Sequence, residues 1–73
     1  MLVNVILKNV SNSPVTLAAH GDYELAVGAE VNLCDPDLPD HYEDWMAAER
    51  AMRAAELPET LRWGVRPVRQ GRT

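Results

Sequence analysis

The sequence has no phenylalanine, a single cysteine, and no lysine or arginine between His20 and Glu49. One thiol, Cys34, cannot close a disulfide within the chain, so no covalent staple is expected. Without phenylalanine the only aromatic side chains are Trp45, Trp63, Tyr23 and Tyr42, and much of the 47% apolar content is alanine. The core is therefore predicted to be thin. A chain of 73 residues has room for one domain, and domains of this size bury only about 60% of their unfolded surface. At roughly 25 cal/mol per Å² of buried apolar surface against about 1.5 kcal/mol of ordering entropy per residue, folding of such chains is nearly balanced, which makes association an expected source of stability.

No stretch approaches the roughly 20 apolar residues that span a bilayer. Residues 1–10 lack the basic start and small-residue cleavage site of a signal peptide, so the expectation is a protein made in a reducing cytoplasm that contacts no membrane. Glycine-rich phosphate loops are also missing: Gly21, Gly28, Gly64 and Gly71 are isolated and read as turns or bends.

The charge that is present is unevenly placed. The chain carries 11 acids, 7 bases and a net charge of −4, which argues against nucleic acid as the main partner. Asp22, Glu24, Glu30, Asp35, Asp37, Asp40, Glu43, Asp44 and Glu49 form an acidic middle, and Arg62, Arg66, Arg69 and Arg72 are the only charges after Glu59.

The hydrophobic pattern predicts an α+β domain: a small antiparallel sheet or partial barrel of four to five short strands with one amphipathic helix. In residues 2–10, Val3, Val5 and Leu7 share one face and Asn4 and Lys8 the other, the two-residue period of a strand. The turn formers Ser11, Asn12, Ser13 and Pro14 follow, then predicted strands at 15–18, 23–27 and 30–33 separated by turns at Gly21 and Gly28. Tyr23, Leu25 and Val27 are expected on the buried face of the third. Pro36 and Pro39 stop the sheet, and Asp37 or Asp40 is a candidate cap for a helix over 41–56, whose apolar face would carry Tyr42, Trp45, Met46 and Met52. Pro58 limits that helix. Leu61, Trp63 and Val65 alternate with Arg62, Gly64 and Arg66 in a last strand over 61–66, which Pro67 confines to a sheet edge or ends, and residues 70–73 are expected to fray.

No constellation for catalysis is found. His20, Cys34 and His41 lack the close spacing of a zinc site, and the aspartates at 35, 37 and 40 lack the glycine of a calcium loop and have Pro39 at a ligand position. They read as helix capping. Cys34 reads as a buried or half-buried residue ending a strand. The expectation is a non-enzymatic protein with no cofactor, metal or small-molecule substrate. The residues best suited to a protein interface are Trp63 with Arg62, Arg66 and Arg69, because tryptophan and arginine concentrate in interface hot spots and an edge strand is a template for adding another.

The order of these features also has a likeness. ILKNVSNSPVTL, the turn into YELAVGAEVNL, the acidic approach to a helix and the closing LRWG together resemble small virion proteins of tailed bacteriophages. The resemblance spans most of the chain, and the sequence departs from the usual pattern in its double-proline acidic segment and its arginine tail. It implies a structural subunit without enzymatic activity, located in the virion and made in the host cytoplasm. Its partners would be other phage structural proteins or further copies of itself, in a head decoration, connector or tail component. A second reading is a small acidic adaptor or inhibitor that binds one host or phage enzyme.

Overall fold

The two-residue period of Val3, Val5 and Leu7, in a run rich in β-branched and aliphatic residues, gives the first strand, β1 (Val3–Asn9), and this strand becomes the centre of the structure. A computed structural model describes residues 3–67. The remaining strands are β2 (Val15–Leu17), β3 (Tyr23–Leu25), β4 (Glu30–Asn32) and β5 (Leu61–Pro67), with one helix, α1 (Trp45–Ala54), before the last strand. All pairings are antiparallel. A three-stranded sheet has the order β4-β1-β5, and β2 with β3 forms a second, two-stranded sheet. The fold is α+β, as the sequence predicts, with five strands divided between two sheets.

Asn9 explains the division. Its backbone N–H donates to the Ala29 carbonyl and its carbonyl accepts from Gly28, while its side-chain amide donates to the Ser13 carbonyl at 2.8 Å and the Leu25 carbonyl at 3.0 Å. The side-chain oxygen accepts from the N–H and hydroxyl of Ser11 at 2.9 and 2.7 Å. The residue is 0% exposed, so it supplies in the interior the hydrogen bonds that water would otherwise give to these turns. One side chain thereby holds the 11–14 turn, the end of β3 and the end of β1 together.

The core lies between the sheets and the helix and comprises Val5, Leu7, Leu17, Leu25, Val31, Leu33, Leu38, Ala48, Met52 and Leu61. Tyr23 and Val27 fall outside it, at 40% and 53% exposure, because β3 ends at Leu25 and the chain turns at Gly28. A 3₁₀ turn over Ala18–His20 follows β2 and buries His20, whose Nδ1 donates to the Pro39 carbonyl at 3.2 Å. Gly21 closes that turn at φ +65°. A Cβ there would lie 2.8 Å from Pro39 Cβ, so both backbone conformation and space require glycine.

The helix is shorter than the 41–56 predicted. Asp44, and neither Asp37 nor Asp40, is its cap: the carboxylate accepts from the Ala47 N–H at 2.8 Å. Residues 35–43 instead form successive turns. Asp35 Oδ1 accepts from the Asp37 N–H, Leu38 is buried, Asp40 takes a left-handed φ of 56°, and the Tyr42 N–H donates to the Leu33 carbonyl. Burying Leu38 and docking Tyr42 beside β4 are the tertiary contacts that delay the helix. On α1 the inward residues are Trp45, Ala48, Ala51 and Met52, at three- and four-residue spacing. Met46, expected on this face, is 53% exposed. The helix ends at Ala54, two residues before the predicted end, as the extended Ala55 turns the chain toward Leu57, which packs on the core.

Candidate partner-binding edge

β5 is an edge strand, and its register with β1 shows which of its backbone groups are unused. Partners on the two strands have numbers summing to 70, from Val3 with Pro67 to Asn9 with Leu61. On the other side of β1, Leu33 donates to Val5 and Asn9 donates to Ala29, so the odd residues of β1 hydrogen-bond toward β4. Antiparallel strands alternate their bonding direction, so the even residues of β1 bond to β5. The Val10 N–H donating to the Thr60 carbonyl fits this parity. Arg62, Gly64 and Arg66 therefore use their backbone groups on β1, and Leu61, Trp63, Val65 and Pro67 turn theirs to the open edge. Leu61 donates to Pro58, and Pro67 has no N–H. Trp63 and Val65 are left with both a donor and an acceptor that no other described residue takes.

The side chains of β5 divide by the same alternation. Trp63 lies on the inner face, half-buried against the core, with the Arg53 guanidinium 5.6 Å from its ring centroid. Val65 is on that face but beyond the core, 42% exposed. Arg62 and Arg66 lie on the outer face, so the tryptophan and arginines grouped by the sequence reading share an edge but not a surface. Arg69 falls outside the described residues.

Arg66 crosses the whole sheet. Its two terminal nitrogens donate to the two carboxylate oxygens of Glu30 on β4 at 2.8 and 2.9 Å. The path is open because Gly64 sits opposite Ile6 and has no side chain, and a shallow depression of about 190 Å³ remains over these residues. The Arg66 hydrogen bonds hold the Glu30 carboxyl below its usual 4.5, and reciprocally raise the already high pKa of the guanidinium. Arg66 is thus oriented by its own chain. Arg62, by contrast, is exposed and has no ion-pair partner among the described residues, and directly opposite it on β1 is Lys8.

A second concavity was not foreseen from sequence. An apolar groove of about 350 Å³ runs between the 3₁₀ turn, α1 and the segment before β5, lined by residues that include Leu17, Tyr42, Met52 and Leu57. Ala18, Ala19, Ala51 and Ala55 also line it, and it exists because these side chains stop at Cβ. The clustering of alanines around 18–19 and 51–55 was the available signal.

The candidate ligands for metal are separated in use. His20 bonds to Pro39, His41 Nδ1 donates to the Leu38 carbonyl at 3.1 Å, and Cys34 is half-buried with its N–H donating to Asn32 Oδ1. Among the described residues no three histidine, cysteine or carboxylate side chains converge on a point. Burial, aided by the nearby Asp44 charge, pushes the Cys34 thiol above its usual pKa and keeps it protonated, the opposite of an activated nucleophile. No family model, no curated protein and no solved structure matches this chain, so its own geometry carries the functional reading.

Proposed function

We propose that the chain is a non-catalytic subunit that binds other protein chains, and that the assembly it joins is the virion of a tailed bacteriophage. The observation that carries the binding function is the β5 edge, where Trp63 and Val65 present paired backbone donors and acceptors beside an exposed arginine. Such an edge is stabilised when another chain covers it. The virion setting rests on the resemblance of residues 6–17, 23–33 and 61–64 to small phage structural proteins. A structural subunit of this kind acts by position, and its thin core gains stability from docking because a partner that binds only the folded state shifts the equilibrium toward it.

Mass spectrometry of purified particles tests the proposal: a structural subunit is present in a fixed ratio to the other virion proteins. Absence from particles, with the protein abundant in infected cells, sinks the virion assignment and favours the small adaptor or inhibitor. That second reading draws on the exposed carboxylates of Asp37, Asp40 and Glu43 on the turns before α1.

A further inference from the structure

The partner-binding reading leaves the partner's chemistry open, and the outer face of the three-stranded sheet narrows it. Two rows of side chains cross that face. One runs Glu30, Lys8, Arg62, from β4 through β1 to β5, and the next runs Asn32, Ile6, Gly64. Each row ends at the open edge of β5.

In the first row Lys8 and Arg62 face each other directly, and like charges so placed across neighbouring strands oppose pairing. Glu30 lies on the far side of Lys8 and is already gripped by both nitrogens of Arg66. The face therefore carries three cations, Lys8, Arg62 and Arg66, against one carboxylate, in a chain whose net charge is −4. A strand added to β5 places a residue beside Arg62. Because Arg62 bonds toward β1, that position belongs to a non-hydrogen-bonded pair on the new side, where side chains approach more closely. In the second row Gly64 contributes nothing above the sheet, and the depression of about 190 Å³ is what its missing side chain leaves.

We infer that β5 takes an extended segment of a foreign protein that hydrogen-bonds to Trp63 and Val65, sets an acidic residue against Arg62, and lays a large side chain, two positions away, into the depression over Gly64. The recognised pattern is an acid and an aromatic or large aliphatic residue separated by one residue. A second copy of this chain fits poorly. Antiparallel self-pairing that joins both free residue pairs would set Arg62 of each copy against Arg66 of the other.

This inference rests on the partner-binding reading but not on the virion assignment, and its test needs no phage. The probe is a blocked seven-residue peptide of threonine and valine bearing one glutamate and, two positions along, one tyrosine, prepared in both orders and added to isotopically labelled protein. One order is expected to shift the amide resonances of Trp63 and Val65 and slow their exchange. Replacing its glutamate by lysine should weaken binding by about five-fold, the scale of one well-placed ion pair. Val65→Pro removes an outward N–H without touching the β1 ladder, so the variant should keep its fold and lose the peptide. Arg62→Glu, a surface exchange at an exposed position, should invert the preference between glutamate and lysine.

Shifts confined to the apolar groove around Leu17 and Ala55 would overturn the inference. So would equal binding of both charges, or no saturable binding at millimolar peptide. A dimer of the free protein that Val65→Pro dissolves would assign the edge to a second copy and overturn it as well. Absence of the protein from particles, with peptide binding intact, would remove the virion assignment and leave the inference standing.

Discussion

The two ends of the β1–β5 pair are built from the same antiparallel ladder, yet they differ in almost every physical respect. Where Asn9 meets Leu61, both residues are buried, the second sheet packs alongside, and a fully enclosed side-chain amide joins three segments. Where Val3 meets Pro67, the strands have left the core, and Gly64, Val65 and Arg66 are all exposed. The sheet is therefore longer than its own core requires. One end stabilises the molecule, and the other leaves backbone and side chains exposed, which is the end the proposed binding would use.

The largest effect of a single substitution is expected at the closed end. Asn9→Ala removes four side-chain hydrogen bonds and strands the Ser13 and Leu25 carbonyls, and a buried polar group left unpaired costs about 1–3 kcal/mol. The total should reach about 3–5 kcal/mol, enough to unfold a domain this small, and urea denaturation followed by circular dichroism will measure it. Gly21→Ala comes next. The left-handed φ and the close approach of Pro39 together should cost about 1–3 kcal/mol, a drop of roughly 5–20 °C in melting temperature.

At the open end the same measurements should barely move. Under the virion reading, Val65→Pro, which removes the outward N–H and no bond to β1, is expected to change stability by no more than about 1 kcal/mol while abolishing incorporation into particles. A large loss of stability in that variant would show that the open end is structural after all. Smaller still is the effect of pH on the Glu30–Arg66 pair. Because the folded carboxyl sits below its ordinary 4.5, its contribution is fully present above that value and is lost as pH falls through the lowered one. Glu30→Gln should flatten this part of the acid-unfolding profile and leave stability near neutrality only slightly reduced. Cys34 provides a last comparison. With its pKa raised by burial, it should be alkylated by iodoacetamide more slowly than a free cysteine near pH 8, and Cys34→Ser should leave binding unchanged.

The strands were legible because they obey a local rule: Val3, Val5 and Leu7, and later Leu61, Trp63 and Val65, recur at every second position whatever the rest of the chain does. The helix start was less legible for an equally physical reason. Asp37, Asp40 and Asp44 are equivalent as caps, and what selects Asp44 is the distant engagement of Tyr42 with Leu33 and the burial of Leu38. Asn9 gave no local sign of its role, since an asparagine at the end of a strand usually faces solvent. At the candidate edge, Trp63 and the arginines were visible as residue types. Their division between two faces, and the use of Arg66 on Glu30, follow only from the register.

That register also has a consequence for the order of events during synthesis. The middle strand of the main sheet is made first and its β5 neighbour last, joining Val3 to Pro67 across nearly the whole described chain. A growing polypeptide on the ribosome can form the β2–β3 hairpin early, but β1 must wait with one flank unpaired until residues 61–67 clear the exit tunnel. Contacts of such long sequence separation close slowly, and an unpaired strand is open to wrong neighbours in the meantime. Pairing of β1 with β5 is therefore expected to be the last step in forming the main sheet.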